Sequence, residues 1–261
     1  MIRIFLFTIL SLFIFNLNYA QPKVEALPEP EIGIVEKLDQ YLPEGIMIIN
    51  ELGDTVDLKS CIDKPTAISL VYFRCPGICS PLMDGIAQVI DKTNLEIGKD
   101  YQVLTISFDP TETIEMAIKK KKNYLNLMTK KEQAGQYWQF FTSDSANISK
   151  LTKAVGFKYK KTGNDYLHAA TLIFLSPDAK ITRYLNGTYF LPFELKLALV
   201  EASQGISGPT MNKVLQYCYS YDPVGQKYVL NITKVAGIII IFLALIIFLV
   251  LILGKKRPIK A

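Results

Sequence analysis

The stretch VYFRCPGICSPL, residues 71–82, decides the reading of this chain. It overlaps the end of Thr66–Phe73 (TAISLVYF), an apolar, β-branched run with the composition of a buried central strand. Beyond it, Ser80 and Pro81 offer an N-cap and a first helical position. Leu82, Ile86, Val89 and Ile90 then recur at helical spacing. Cys75 and Cys79 therefore stand between a buried strand and a helix N-terminus. The positive end of the helix dipole favours thiolates there, and thiolates serve both disulfide exchange and soft-metal binding. Three residues separate the two cysteines. That is longer than the CxxC of redox motifs and within the range of metal-ligating pairs. The plain alternative is an inert disulfide or two buried thiols, but a bridge closing so short a loop constrains the unfolded chain little.

Working outward, GIMIINELGDTVDL (residues 45–58) carries a hairpin signal around Leu52-Gly53-Asp54. Gln102–Phe108 reads as a second strand, ended by Asp109-Pro110. A helix is expected over 112–128, with Ile114, Ala117, Tyr124, Leu125 and Met128 toward the core. Lys119–Lys122 reads as its solvated face. Trp138–Phe141 is expected as a short strand and Asn147–Val155 as a short helix. Ala169–Leu175 and Ile181–Leu185 form a strand pair about the turn Ser176-Pro177-Asp178, and Phe193–Ala202 is the last helix. The order of elements describes an α/β domain with a mixed sheet. Residues 43–210 are assigned to this domain, and the proline-bearing segment 21–42 to a linker.

The ends of the chain place it at a membrane. Residues 1–20 carry one cation, Arg3, then an apolar run, then NYA before Gln21, the pattern of a secretory signal. Asn18 fits the small-residue cleavage rule poorly, so a retained signal-anchor is the alternative. Residues 235–254 (VAGIIIIFLALIIFLVLILG) are unbroken and apolar, the length a bilayer-spanning helix needs. Lys255, Lys256, Arg257 and Lys260 follow in a basic tail, 255–261, and mark the cytoplasmic side. The domain and the juxtamembrane segment 211–234 are then expected outside the cytoplasm on a single-pass cell-membrane anchor. Those four cations and Arg3 supply the whole net charge of +5. A neutral ectodomain lacks the basic surface that nucleic-acid binding requires.

His168, in NDYLHAATLIFL, is the only histidine. Taken alone, it fits a structural histidine better than a ligand. A zinc finger needs four ligands at set spacings, and no second such pair or second histidine is present.

Four segments together, VYFRCPGICSPL, VLTISFDPTET, WQFFTSD and DYLHAATLIFLSPDAKI, resemble the Sco/SenC family in order and spacing over roughly residues 43–203. Members of that family are thioredoxin-like copper proteins that assemble the dinuclear copper site of cytochrome c oxidase. The resemblance implies a thioredoxin-like mixed sheet flanked by helices, with a hairpin inserted between strand and helix. It places the family's copper ligands on Cys75, Cys79 and His168, and two thiolates with one imidazole make a soft site suited to Cu(I). It also makes Cys75 and Cys79 a redox pair. Two departures stand beside the ligands: Gly77 where many members carry an acid, and Leu167 where many carry Asp. The family anchor is usually N-terminal, whereas here the secure span is C-terminal.

Two functions follow from the resemblance. One is a membrane-anchored Cu(I) metallochaperone whose partner is the copper-bearing subunit of a terminal oxidase. The other is a thiol–disulfide oxidoreductase that reduces partner cysteines without delivering copper. A peroxide-handling enzyme of the same fold ranks below both, because no peroxide-activating Arg and Thr motif surrounds a single cysteine. Cys61 and Cys218 are candidates for a structural disulfide tying the C-terminal segment to the domain.

Overall fold

Two six-residue strands, β1 (Thr66–Val71) and β2 (Gln102–Ser107), are buried at every position and pair in parallel, Thr66 with Gln102 through to Val71 with Ser107. Their near-continuous apolar runs fit strands covered on both faces. The buried hydroxyls among them are partnered: Ser69 and Thr105 share a hydrogen bond of 2.8 Å, and the Trp138 Nε1–H donates to Thr105 at 2.9 Å. A parallel third strand, β3 (Trp138–Phe141), joins β2, while β4 (Thr171–Leu175) joins β1 antiparallel and β5 (Ile181–Asn186) pairs antiparallel with β4. The sheet order is therefore β5-β4-β1-β2-β3.

This computed structural model describes residues 31–208, with 219–222, 227–230 and 243–246 beyond them. The helices are α1 (Cys79–Lys92), α2 (Ile114–Leu125), α3 (Lys131–Tyr137), α4 (Ser145–Ala154) and α5 (Pro192–Ser203). The mixed sheet and its helices agree with the expected order. The α3 helix was not anticipated. The inserted hairpin, Lys160–Thr162 with Asp165–Leu167, lies between helix α4 and strand β4 rather than between a strand and a following helix. Its turn uses Gly163 in the left-handed region, φ +62°.

Both sheet edges are covered, which blunts pairing with other chains. Along β5, Ile181 exchanges backbone hydrogen bonds with Asp39 and Gln40, and Leu42 N–H donates to the Ala179 carbonyl at 3.0 Å. Residues 33–42, at the end of the segment read as a linker, thus lie against the domain, and Gly33–Ile34 pairs with Phe157–Lys158. Along β3, the expected hairpin, Met47–Ile49 with Thr55–Asp57, bonds through Ile49 to Thr142.

Glu51 at that hairpin's tip accepts the Phe140 N–H at 2.9 Å and the Lys121 ammonium at 2.7 Å. Lys121 is buried, which corrects the reading of Lys119–Lys122 as a wholly solvated face; Lys119 and Lys122 are exposed. Glu51→Ala would leave a buried ammonium unpaired. We expect it to lower the unfolding free energy by about 2–3 kcal/mol, toward the low end for a broken buried pair because Glu51 is partly exposed. Urea denaturation measures the loss.

Among the described residues, no helix is long and apolar enough to cross a membrane. The segments read as signal (1–20) and basic tail (255–261) lie outside the described residues, as does most of the apolar run 235–254.

Candidate metal centre

Strands β1 and β2 run parallel and end side by side, so their C-terminal loops open together, where α/β sheets place their ligand crevices. The first loop carries Cys75, whose N–H donates to the Tyr72 carbonyl at 3.2 Å. Its sulfur accepts the Gly77 N–H at 3.4 Å. Gly77 is exposed and a Cβ there meets nothing within 4 Å, so the loop has room for the acid that stands there in many Sco/SenC sequences.

Cys79 is the first residue of α1 and fully buried. The helix cap is Ile78, without a side-chain cap bond. Helix α1 therefore begins one residue before the expected Ser80 cap, and Ser80 and Pro81 lie in its first turn. Farther along, Gly85 lets the 187–190 loop rest on α1: a Cβ there would stand 2.1 Å from the Thr188 carbonyl oxygen.

The inserted hairpin delivers the third ligand. His168 follows its second strand and is half-buried. Its Nδ1 lies 2.9 Å from the Ala169 carbonyl oxygen. A carbonyl only accepts, so Nδ1 is the donor of this bond and Nε2 is the ring nitrogen left to face the sulfurs. That Nε2 sits 3.2 Å from Cys79 Sγ, across 89 positions of sequence. Three rings hold the imidazole: Phe108 at 5.1 Å, Tyr72 at 5.8 Å and Phe157 at 6.0 Å between centroids. The Tyr72 hydroxyl also donates to Asp165 and accepts the Tyr166 N–H, each at 3.4 Å, linking the cysteine loop to the hairpin.

The two sulfurs and a ring nitrogen lie within 4.8 Å of one another. Cys75, Cys79 and His168, the residues on which the family resemblance places the copper ligands, are thus brought together. The sulfurs are not equivalent. The Cys79 thiol donates to Cys75 and holds the Cys75 sulfur well below the usual thiol range. The same bond, with burial, pushes Cys79 up. Cys75 is therefore the more thiolate-like of the two sulfurs and Cys79 the more thiol-like. Two sulfurs and one imidazole suit a soft ion of low coordination number and fall one ligand short of a closed zinc site.

Cys61 is half-buried with its sulfur 3.5 Å from the Asp57 carbonyl. Cys218, its candidate partner, lies outside the described residues.

Sequence reasoning passed over Glu112. Its side chain is fully buried. Oε2 accepts the Phe73 N–H and the Ser107 hydroxyl, each at 2.6 Å, and Oε1 accepts the Arg74 N–H at 2.7 Å. The Arg74 guanidinium spans Glu112 at 3.5 Å and Asp109 at 2.9 Å and also meets the Thr111 hydroxyl. The signal was present in FDPTET, whose acids sit just past β2.

The sequence-family profile described as SCO1/SenC matches residues 46–194. No curated protein sequence matches the chain. Among solved structures, an Aquifex aeolicus VF5 protein named for electron transfer shares 29% identity at a TM-score of 0.58, covering 64% of this chain and 95% of its own. Copper-bound ScoI of Arabidopsis thaliana shares 22% at 0.50, covering 60% and 96%. BsSco, described with a disulfide switch as a member of the Sco family of cytochrome c oxidase assembly proteins, shares 18% at 0.51, covering 66% and 96%. At their identities the last two speak for the fold alone.

Proposed function

The chain belongs to the SCO1/SenC family, and from that premise we propose that it is a membrane-anchored Cu(I) metallochaperone for the dinuclear copper site of cytochrome c oxidase. The observation that carries the proposal is the cluster of Cys75 Sγ, Cys79 Sγ and a His168 ring nitrogen within 4.8 Å of one another. Copper bound to Arabidopsis ScoI supports the choice of metal, and BsSco's description supports the oxidase. Copper is cargo here. The Ala169 carbonyl holds Nδ1, so Nε2 is the ring nitrogen turned toward the sulfurs. The Cys75 thiolate offers a charged first ligand, and binding releases the proton of Cys79. Delivery requires a partner with competing thiolates, such as the copper-bearing subunit of a terminal oxidase. The apolar run 235–254 and its cationic flank support an anchor with the domain on the extracytoplasmic face.

One observation favours a second reading. A thiolate beside its resolving thiol is also the apparatus of disulfide exchange. Cys75 would attack a partner disulfide and expel one partner thiolate. Cys79 would then attack Cys75, expelling the second and leaving the Cys75–Cys79 disulfide, with two electrons passed to the partner. An oxidoreductase without copper needs nothing from His168.

Anaerobic titration of the reduced protein with Cu(I), followed by desalting and metal analysis, tests the proposal. We expect one copper retained per chain. Retention of none, with disulfide exchange intact, would leave the oxidoreductase reading.

A further inference from the structure

We propose that Glu112 is the positioning residue of the cysteine loop: its buried carboxylate sets where Cys75 stands without touching a ligand atom. The inference rests on the reading of Cys75, Cys79 and His168 as the functional centre. Its ground is hydrogen-bond accounting at the sheet's end. Phe108 N–H donates to the Val71 carbonyl at 2.9 Å, and beyond that bond β1 and β2 diverge. The next β1-side donors, Phe73 N–H and Arg74 N–H, have lost their strand partner, and Phe73 is buried. Both end on Glu112, at 2.6 and 2.7 Å. Cys75 N–H then turns back to Tyr72. Every backbone donor from Phe73 to Cys75 is therefore held before any metal arrives.

The grip is anchored on the other strand, because the Ser107 hydroxyl donates to the same carboxylate and Arg74 covers it. A ligand fixed by its supporting shell avoids the ordering entropy that a loose loop would lose on binding. A carboxylate is the group the place requires. It accepts at both oxygens, whereas a glutamine presents its NH2 to at least one N–H in either orientation.

The test compares Glu112→Gln, Glu112→Asp and Glu51→Ala in the full chain. Glu51→Ala is the control, a destabilising change at the far edge of the sheet. Two readouts are taken at temperatures where all variants are folded. The first is Cu(I) retention against a competing chelator. The second is metal-free: the equilibrium in which glutathione disulfide oxidises Cys75 and Cys79 to their disulfide, taking two electrons and two protons and becoming two glutathione thiols.

We expect Glu112→Gln to lose roughly tenfold in retention and to shift the glutathione equilibrium roughly tenfold against the disulfide, about 30 mV. Glu112→Asp, which keeps both oxygens, should recover part of each, and Glu51→Ala should move neither. If Glu112→Gln changed only the unfolding midpoint, as Glu51→Ala does, Glu112 would be a strut and the proposal would fall. If the unaltered chain bound no Cu(I) while Glu112→Gln alone shifted the glutathione equilibrium, the copper reading would fail and the positioning role would stand.

Discussion

Cys79→Ala is expected to abolish copper retention and intramolecular disulfide formation together. Cys79 is fully buried at the start of α1 and makes the close contact to His168 Nε2, 3.2 Å. Without its sulfur, Cys75 and His168 offer two donors and no third, and no resolving thiol remains. Losing one buried sulfur costs the fold about 1 kcal/mol, so the variant should still be folded and the double loss read directly. Cu(I) analysis after desalting measures one property, and thiol-labelling gel shifts of the oxidised protein the other. Wild-type copper retention in this variant would remove Cys79 from the centre.

The second large effect separates the two functions. His168→Ala should weaken Cu(I) binding by about a hundredfold, roughly 2.7 kcal/mol, because one ligand of three is lost. Disulfide exchange between Cys75 and Cys79 should persist, since neither the attack nor the resolution uses the ring. The side chain also packs among Tyr72, Phe108 and Phe157, so its removal leaves a gap worth about 1–2 kcal/mol of stability. Chelator competition well below the unfolding midpoint isolates the ligand's share. Unchanged copper affinity would take His168 out of the site and favour the oxidoreductase.

The sheet was legible where burial writes itself into composition. Thr66–Val71, Gln102–Ser107 and Thr171–Leu175 are buried at every position and show as apolar or β-branched runs. The α3 helix escaped because KEQAGQY has no apolar stripe; among its seven residues only Ala134 is buried. The inserted hairpin was reached only through the family resemblance and its position was not, since Lys160, Lys161, Thr162, Asp165 and Leu167 all face solvent and leave no apolar alternation to read. Lys121 was misread because nothing local distinguishes a lysine whose partner, Glu51, lies 70 positions away. The site shows the same division. The cysteine pair stood out from its own surroundings, a strand before and a helix after. His168 had no local mark and was reached through family resemblance. Glu112 went unremarked because its partners, Phe73 and Arg74, become visible only when β1 and β2 are laid side by side.

X-ray absorption at the copper edge of the Cu(I)-loaded protein bears most directly on the central claim. The account predicts two sulfur ligands and one nitrogen, with the nitrogen contribution lost in His168→Ala. A two-sulfur site that is the same with and without His168 would contradict it.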